Sequence, residues 1–418
     1  MPLQSCGIDF GTSNSTIGVA AADGARLLPL EDGHATLPSA VFFDSDGPVA
    51  RFGRAAIAAY VGGDDGRLMR GLKSTLGSSL IHEKTRIGAR AVTFKDIVTR
   101  YFGHLRARLD AETGGHVDHA VLGRPVHFVD GDPAGDAAAQ SVLEQIARAQ
   151  GFRHLAFQYE PIAAALQYEQ GISDEDLVLV ADIGGGTSDF SILRVSPRSV
   201  GKADRQGDIL ANDGIRVGGT DFDRLLSMAA VMPHLGLGSS IGAGKVLMPR
   251  HYYIDLATWH RINMVYTART MLDLRALLAD ADRPDLIARL IGVVDLRRGH
   301  ALAMAVEAAK IALSEDAAAR LSLSALTGGP NPVIGRETFD AAVAAPVARI
   351  AATLEGLLQQ AGLRVADIGT VFMTGGSSHL PILHSCIASV LPGVRIATGD
   401  MLGSVGTGLA LDARRKFG

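Results

Sequence analysis

The first third of the chain alternates short apolar runs with turn residues, and residues 5–10, 15–21, 25–30 and 37–43 predict strands joined by hairpins. Helical periodicity follows at 95–112 and 135–150, on either side of an apolar run at 117–123, and the Gly/Asp/Pro stretch 130–136 reads as a loop. A strand at 152–158, a helix from Pro161 and an apolar strand at 177–181 come next. The Leu-Val-Leu-Val run that opens this last strand is the pattern of a strand buried on both faces. After a strand at 189–195, residues 255–315 look almost wholly helical, a smaller strand-helix unit runs from 319 to 396, and a helix at 404–415 closes the chain. Strands alternating with helices predict an α/β architecture.

The start of the chain recurs in its middle. Ile8-Asp9-Phe10-Gly11-Thr12-Ser13-Asn14 and Ala181-Asp182-Ile183-Gly184-Gly185-Gly186-Thr187-Ser188-Asp189 each end a strand on Asp and continue into a turn of glycines and hydroxyls. The two aspartates are 173 residues apart. That spacing is too long for a solenoid repeat and predicts two related lobes that share one ligand. Glycine lets backbone N–H groups point at an anion while hydroxyls add donors, so each turn reads as a phosphate cradle. Either turn alone reads equally well as an ordinary hairpin; the pair favours the cradle. Asp9 and Asp182 would then stand beside the phosphates, where Mg²⁺ is held by one or two acids and several waters.

Composition narrows the alternatives. With 418 residues, 47% hydrophobic and 20% charged, the chain has the make-up of a folded protein of at least two lobes. A formal charge of −4 gives no electrostatic reason to bind nucleic acid or an anionic membrane. Cys6 and Cys386 are in no Cys-x-x-Cys spacing, which excludes a disulfide framework and suits a reducing cytoplasm. No basic start with an apolar stretch and no run of about 18 apolar residues occurs, so neither secretion nor a membrane span is expected. Other nucleotide and hydrolase signatures fail. Gly244-Lys245 is followed by Val246 and Ser239 stands where a P-loop needs its first glycine, while Gly238-Ser239-Ser240-Ile241-Gly242 lies in a Gly-rich loop and not between a strand and a helix. His379 and His384 are not a helical metal pair, and no protein-ligated transition metal is expected.

Five segments carry a family resemblance: GIDFGTSNS (7–15), YEPIAAALQY (159–168), VLVADIGGGTSDFSIL (178–193), IRVGGTDFD (215–223) and FMTGGSSHLP (372–381). They resemble the nucleotide-binding domain of DnaK-type chaperones, the heat shock protein 70 family. Segments 253–260 and 310–314 make the chain most similar to the YegD-like branch of that family. The resemblance implies an actin-like ATPase fold: two related, ribonuclease-H-like lobes with the nucleotide in the cleft between them. Lobe I would span 1–175 and lobe II 176–370, with a helical insertion at 245–300. Residues 371–418 would return to the cleft and end in a helix.

Carried over residue by residue, the resemblance implies that Gly11, Thr12, Ser13 and Asn14 form one phosphate loop and Gly184, Gly185, Gly186 and Thr187 the other. Asp9 and Asp182 would hold Mg²⁺ through water, and Lys73 would lie beside the γ-phosphate, although from sequence alone it reads as an exposed loop lysine. Glu160, before Pro161 at a helix start, would orient the attacking water, with Thr187 also near it; an acid there is equally favoured by the helix dipole. Gly218, Gly219, Glu307, Lys310, Ser314, Gly375, Gly376 and Ser377 match nucleoside contacts. Ile311 and His379 stand where the family has arginines near the base, and losing a cation–π contact of roughly 0.5–2 kcal/mol predicts weaker, less adenine-selective binding.

The family's peptide-binding sandwich and lid are expected to be missing after Gly418. A protein client would then bind elsewhere, one place being the 245–300 insertion with Tyr252, Tyr253, Trp259 and Tyr266; core packing explains the same aromatics. Arg297 and Arg298 read as a solvated face or a docking patch. The resemblance implies a chaperone-type ATPase converting ATP and water to ADP and phosphate, with ATP/ADP and Mg²⁺ as cofactors and an unfolded or specific protein as client. A sugar-type small-molecule kinase and a non-enzymatic nucleotide sensor or filament former are the alternatives on the same fold.

Overall fold

A computed structural model describes residues 5–21, 24–45, 49–88, 90–115, 117–129, 131–169, 171–199, 202, 204–242, 246–398 and 403–418. Two sheets share one topology. In the first, Ser5–Phe10, Asn14–Ala21 and Gly24–Leu27 form an antiparallel meander, and His119–Arg124 and then His154–Tyr159 add in parallel on the other side of the opening strand. In the second, Asp176–Ile183, Ser188–Val195 and Ile209–Ile215 form the meander, and Thr370–Thr374 and Arg395–Thr398 add in parallel. Both run third, second, first, fourth, fifth. The likeness seen in two short turns therefore extends to ten strands, and in each copy the Asp-bearing strand is the central one.

Parallel neighbours require crossovers, and helices supply them. Helix Pro133–Ala149 joins the fourth and fifth strands of the first sheet, and helix Phe94–Thr113 precedes the fourth. Thr93 and Asp96 close a capping box at the start of Phe94–Thr113, with Asp96 N donating to Thr93 Oγ1 at 3.0 Å and Thr93 N to Asp96 Oδ2 at 2.9 Å. The expected loop 130–136 is shorter than predicted. Asp132 caps and Pro133 opens the helix, because proline is suited to a first helical position; residue 130 lies outside the described residues. Phe10, Tyr101, Phe102, Leu122 and Ile146 bury together against the first sheet. Val178, Leu179, Val180 and Ala181 are all buried, as a strand covered on both faces requires.

Two strand predictions need correction. The predicted strand 25–30 stops at Leu27, and the predicted strand 37–43 is interrupted at Ser39. Thr36–Pro38 pairs with Asn14–Ala21, whereas Ala40–Asp44 joins a separate three-stranded sheet with Ala50–Phe52 and Gly66–Arg70. Helix Gly53–Gly62, which no strong periodicity announces, covers that small sheet.

The chain divides into two compact units, one made of 1–215, 353–378 and 390–418, the other of 216–352 and 379–389. The first holds both large sheets. Its final helix, Ser404–Phe417, lies so close to helix Glu160–Glu169 that a Cβ on Gly408 would come within 1.9 Å of Ala163 O, and Leu409 and Ala413 bury with Val121 and Ala163. The second unit contains the helices at 255–315 in the expected place, interrupted by a 3₁₀ segment at Trp259–Val265. Its aromatics pack inward: Tyr253 is fully buried and donates to Leu235 O at 3.2 Å, Tyr266 OH accepts from Gly299 N, and Trp259 meets His300 edge-on. Arg298 donates to Ala325 O and Arg297 lies over the Tyr266 ring, so both arginines are tied into the fold. Gly244 and Lys245 lie outside the described residues. Among the described helices Arg336–Ala361 is long and apolar enough to cross a membrane. Its Phe339, Val343, Ile350, Leu354 and Leu357 are buried at helical spacing, the stripe of a core helix.

Candidate functional site

Both Asp-bearing strands end at one place in the first unit. Hairpin register sets Asp9 opposite Thr16 and Phe10 opposite Ser15, so residues 11–13 form the first corner. Asp182 opposes Asp189 and Ile183 opposes Ser188, and Gly184 N donates to Thr187 O at 2.9 Å to close the second corner. The corners touch: a Cβ on Gly185 would lie 2.2 Å from Ser13 Oγ. Gly375, at φ +87°, follows the parallel neighbour Thr370–Thr374, and a Cβ there would fall 2.4 Å from Asp182 Oδ1. Glycine is thus required where backbone and carboxylate come together. Gly11, Thr12, Ser13, Asn14, Gly184, Gly185, Gly186 and Thr187 are half-buried at this junction, Gly376 is exposed and Ser377 is buried.

Two further predicted residues arrive from distant segments. Lys73 sits in the 3₁₀ turn Leu72–Thr75, and its Nζ lies 2.5 Å from Oε1 of Glu160, the first residue of helix Glu160–Glu169. Their side chains are 12% and 14% exposed, so Lys73 is not the solvated loop lysine that sequence alone suggests. Burial disfavours the Lys73 ammonium, but Glu160, Asp9 and Asp182 outweigh it and raise its pKa above the usual lysine value. Asp9 and Asp182 keep some solvent contact yet are enclosed by protein atoms. Loss of hydration, then repulsion from Glu160 and Asp182 against the attraction of Lys73, pushes Asp9 up to about 8. Loss of hydration, then Asp189 and Glu160, pushes Asp182 up to about 7.

Three carboxyl groups therefore share one ammonium. A divalent cation fits that donor set, because it supplies the missing positive charge to hard oxygen ligands. Among the described residues no three His, Cys, Asp or Glu side chains converge as direct ligands. A cation held by Asp9 and Asp182 would keep several waters, as Mg²⁺ does. The Thr187 hydroxyl donates to Asp189 Oδ2 at 2.9 Å. Asp189 was missed as a site residue, although the hairpin alone, counted back from its turn, places it opposite Asp182.

A family model described as Hsp70 protein matches residues 5–232 and 294–397, a span that includes both corners, Lys73 and Glu160. The chain belongs to the Hsp70 family. Its doubled sheets are the mixed α/β framework of that family's actin-like ATPase fold. Among curated relatives, it is 27% identical over 427 residues to "Chaperone protein HscA" of Pectobacterium carotovorum and of Salmonella typhimurium. The same identity holds over 428 residues with the HscA of Edwardsiella ictaluri. Each match covers 97% of this chain, and the chain spans 57% of each relative's length.

The remaining predicted residues of this Hsp70-family chain lie in the second unit, apart from the turn 375–377. Gly218 precedes and Gly219 opens helix Gly219–Ala230, and Glu307, Lys310 and Ser314 lie on helix Gly299–Glu315. Lys310 Nζ is 2.8 Å from Asp223 Oδ1 and 3.3 Å from Gly219 O. Its ammonium is therefore engaged at the start of helix Gly219–Ala230. Glu307 and Ser314 are half-buried, while Ile311 on the same helix is 59% exposed.

Proposed function

We propose that the chain binds ATP with Mg²⁺ at the paired corners, hydrolyses it slowly and acts as a nucleotide-gated conformational switch of the chaperone type. The observation that carries this reading is the convergence of Asp9, Asp182, Glu160 and Lys73 at the point where Ser13 meets Gly185. Backbone N–H groups of 11–14 and 184–187 would hold phosphate oxygens. Mg²⁺, when bound, supplies charge neutralisation on the phosphates. Asp9 and Asp182 would orient its waters, Lys73 would lend positive charge to the transferred group, and Glu160 would accept a hydrogen bond from the attacking water, with Thr187 beside it. Little covalent chemistry is needed from the protein, because phosphoryl transfer rests on positioning and charge. Gly218, Gly219, Glu307, Ser314, Gly375 and Gly376 would serve the nucleoside end, as the family resemblance implies; Lys310 would do so by holding Gly219.

Cys6 and Cys386, both buried free thiols, support work in a reducing cytoplasm. A protein client, of the kind the family's chaperones bind, is part of this reading. Purified chain supplied with Mg·ATP and no acceptor should release phosphate in a slow, Lys73-dependent reaction. A phosphorylated sugar appearing in a metabolite panel, with no phosphate release in its absence, would replace the ATPase by the kinase alternative.

A further inference from the structure

Each corner is held from behind by a serine that belongs to neither corner, and the two serine hydroxyls bond equivalent glycine carbonyls. Ser39 donates its hydroxyl to Gly11 O at 2.7 Å and its backbone N–H to Ser13 O at 2.8 Å. Ser377 donates its hydroxyl to Gly184 O at 3.2 Å and its backbone N–H to Ile183 O at 3.0 Å. Gly11 and Gly184 occupy the same place in the repeat, two residues after the strand-end aspartates. Each serine is buried, Ser39 at 2% and Ser377 at 6% exposure. Ser39 is itself backed by Ser15 Oγ at 3.0 Å, and the Tyr101 hydroxyl donates to Pro38 O at 3.2 Å. The strand break at Ser39 has its physical reason here: the residue leaves one ladder before the chain enters the next sheet, and turns both of its donors onto the corner.

We propose that Ser39 and Ser377 are matched positioning residues, one for each phosphate corner. A corner that grips an anion must present N–H groups to it and keep its carbonyl oxygens turned away, since a carbonyl facing a phosphate repels it. Ser39 fixes two such oxygens, those of Gly11 and Ser13, and Ser377 fixes that of Gly184 together with the Ile183 oxygen at the strand end just before the corner. The effect falls on the phosphates and not on the nucleoside, which distinguishes it from a direct Ser377 contact with the nucleoside. This inference rests on the nucleotide reading of the site.

The test uses the full chain with Ser39→Ala, Ser377→Ala and the double variant, measuring Kd for Mg·ATP and Mg·ADP by calorimetry and for adenosine by ligand-observed NMR. Losing one such hydrogen bond should weaken Mg·ATP and Mg·ADP by about tenfold and leave adenosine binding unchanged, with a larger loss in the double variant. Ser39→Cys and Ser377→Cys, which keep a weak donor of similar size, should fall between wild type and alanine, and they carry the comparison if an alanine variant does not fold. A lower thermal midpoint with unchanged Mg·ATP affinity, or an equal loss for ATP and adenosine, overturns the positioning role. Wild-type chain that binds no Mg·ATP overturns the nucleotide reading and this inference with it.

Discussion

Lys73 and Glu160, 87 residues apart, form a largely buried ion pair 2.5 Å long, with Asp9 and Asp182 acting on the same ammonium. Removing one partner of a buried pair strands the other and costs about 3–5 kcal/mol. Lys73→Ala should therefore destabilise the ligand-free chain in denaturant titration, since Glu160 would face two other acids alone. It should also slow single-turnover phosphate release by about 10²–10³. Adding Glu160→Gln to Lys73→Ala should restore most of the stability and none of the turnover.

The raised pKa values of Asp9 and Asp182 set a pH dependence. Both acids hold their protons more tightly folded than unfolded, so the folded chain carries the extra protons between the ordinary carboxylate range near 4 and about 8. Stability contributed by these groups falls as pH rises through that window, because the folded state binds more protons there. A bound divalent cation reverses the preference. Mg·ATP binding at pH 7 should thus release protons and tighten between pH 6 and 8. Titrations in two buffers of different ionisation enthalpy read this directly, and proton uptake would contradict it.

Ile311 is 59% exposed on helix Gly299–Glu315, so a longer side chain meets no packing obstacle there. Ile311→Arg should leave the thermal midpoint unchanged and tighten ATP binding by about two- to thirtyfold, the range of one cation–π contact. Comparison of ATP with GTP in the same calorimetric series checks whether the gain is selective for adenine.

Gly408→Ala tests the docking of the final helix. Its Cβ would fall 1.9 Å from Ala163 O, a backbone atom that cannot swing aside. Overpacking of this kind costs about 1–3 kcal/mol. The expected result is a lower urea midpoint at unchanged m-value, together with weaker catalysis, because the displaced helix Glu160–Glu169 carries Glu160 at its start.

Much of the framework was legible because its signals are local. The Asp-plus-glycine corners, the Leu-Val-Leu-Val strand and the amphipathic helices state their own periods. The doubling of the whole sheet needed only two turns to be noticed. What sequence hid was non-local or weakly patterned. Lys73 reads as a loop cation, and only the fold brings Glu160 to it. The strand break at Ser39 is marked only by Pro38 and Ser39 themselves, between Leu37 and the run Ala40-Val41-Phe42-Phe43, so the surrounding apolar pattern reads as one strand across it. Helix Gly53–Gly62 has almost no amphipathic contrast, and its start is secured by Glu31, which accepts from Arg54 N at 2.8 Å and Ala55 N at 2.9 Å across 23 and 24 residues.

Calorimetric titration of the chain with ATP, run with Mg²⁺ and again with EDTA, tests the central claim most directly. The account predicts one site per chain, filled by Mg·ATP and much weakened without the metal or in Asp182→Asn. No heat at millimolar Mg·ATP, or binding indifferent to both metal and Asp182, would contradict it.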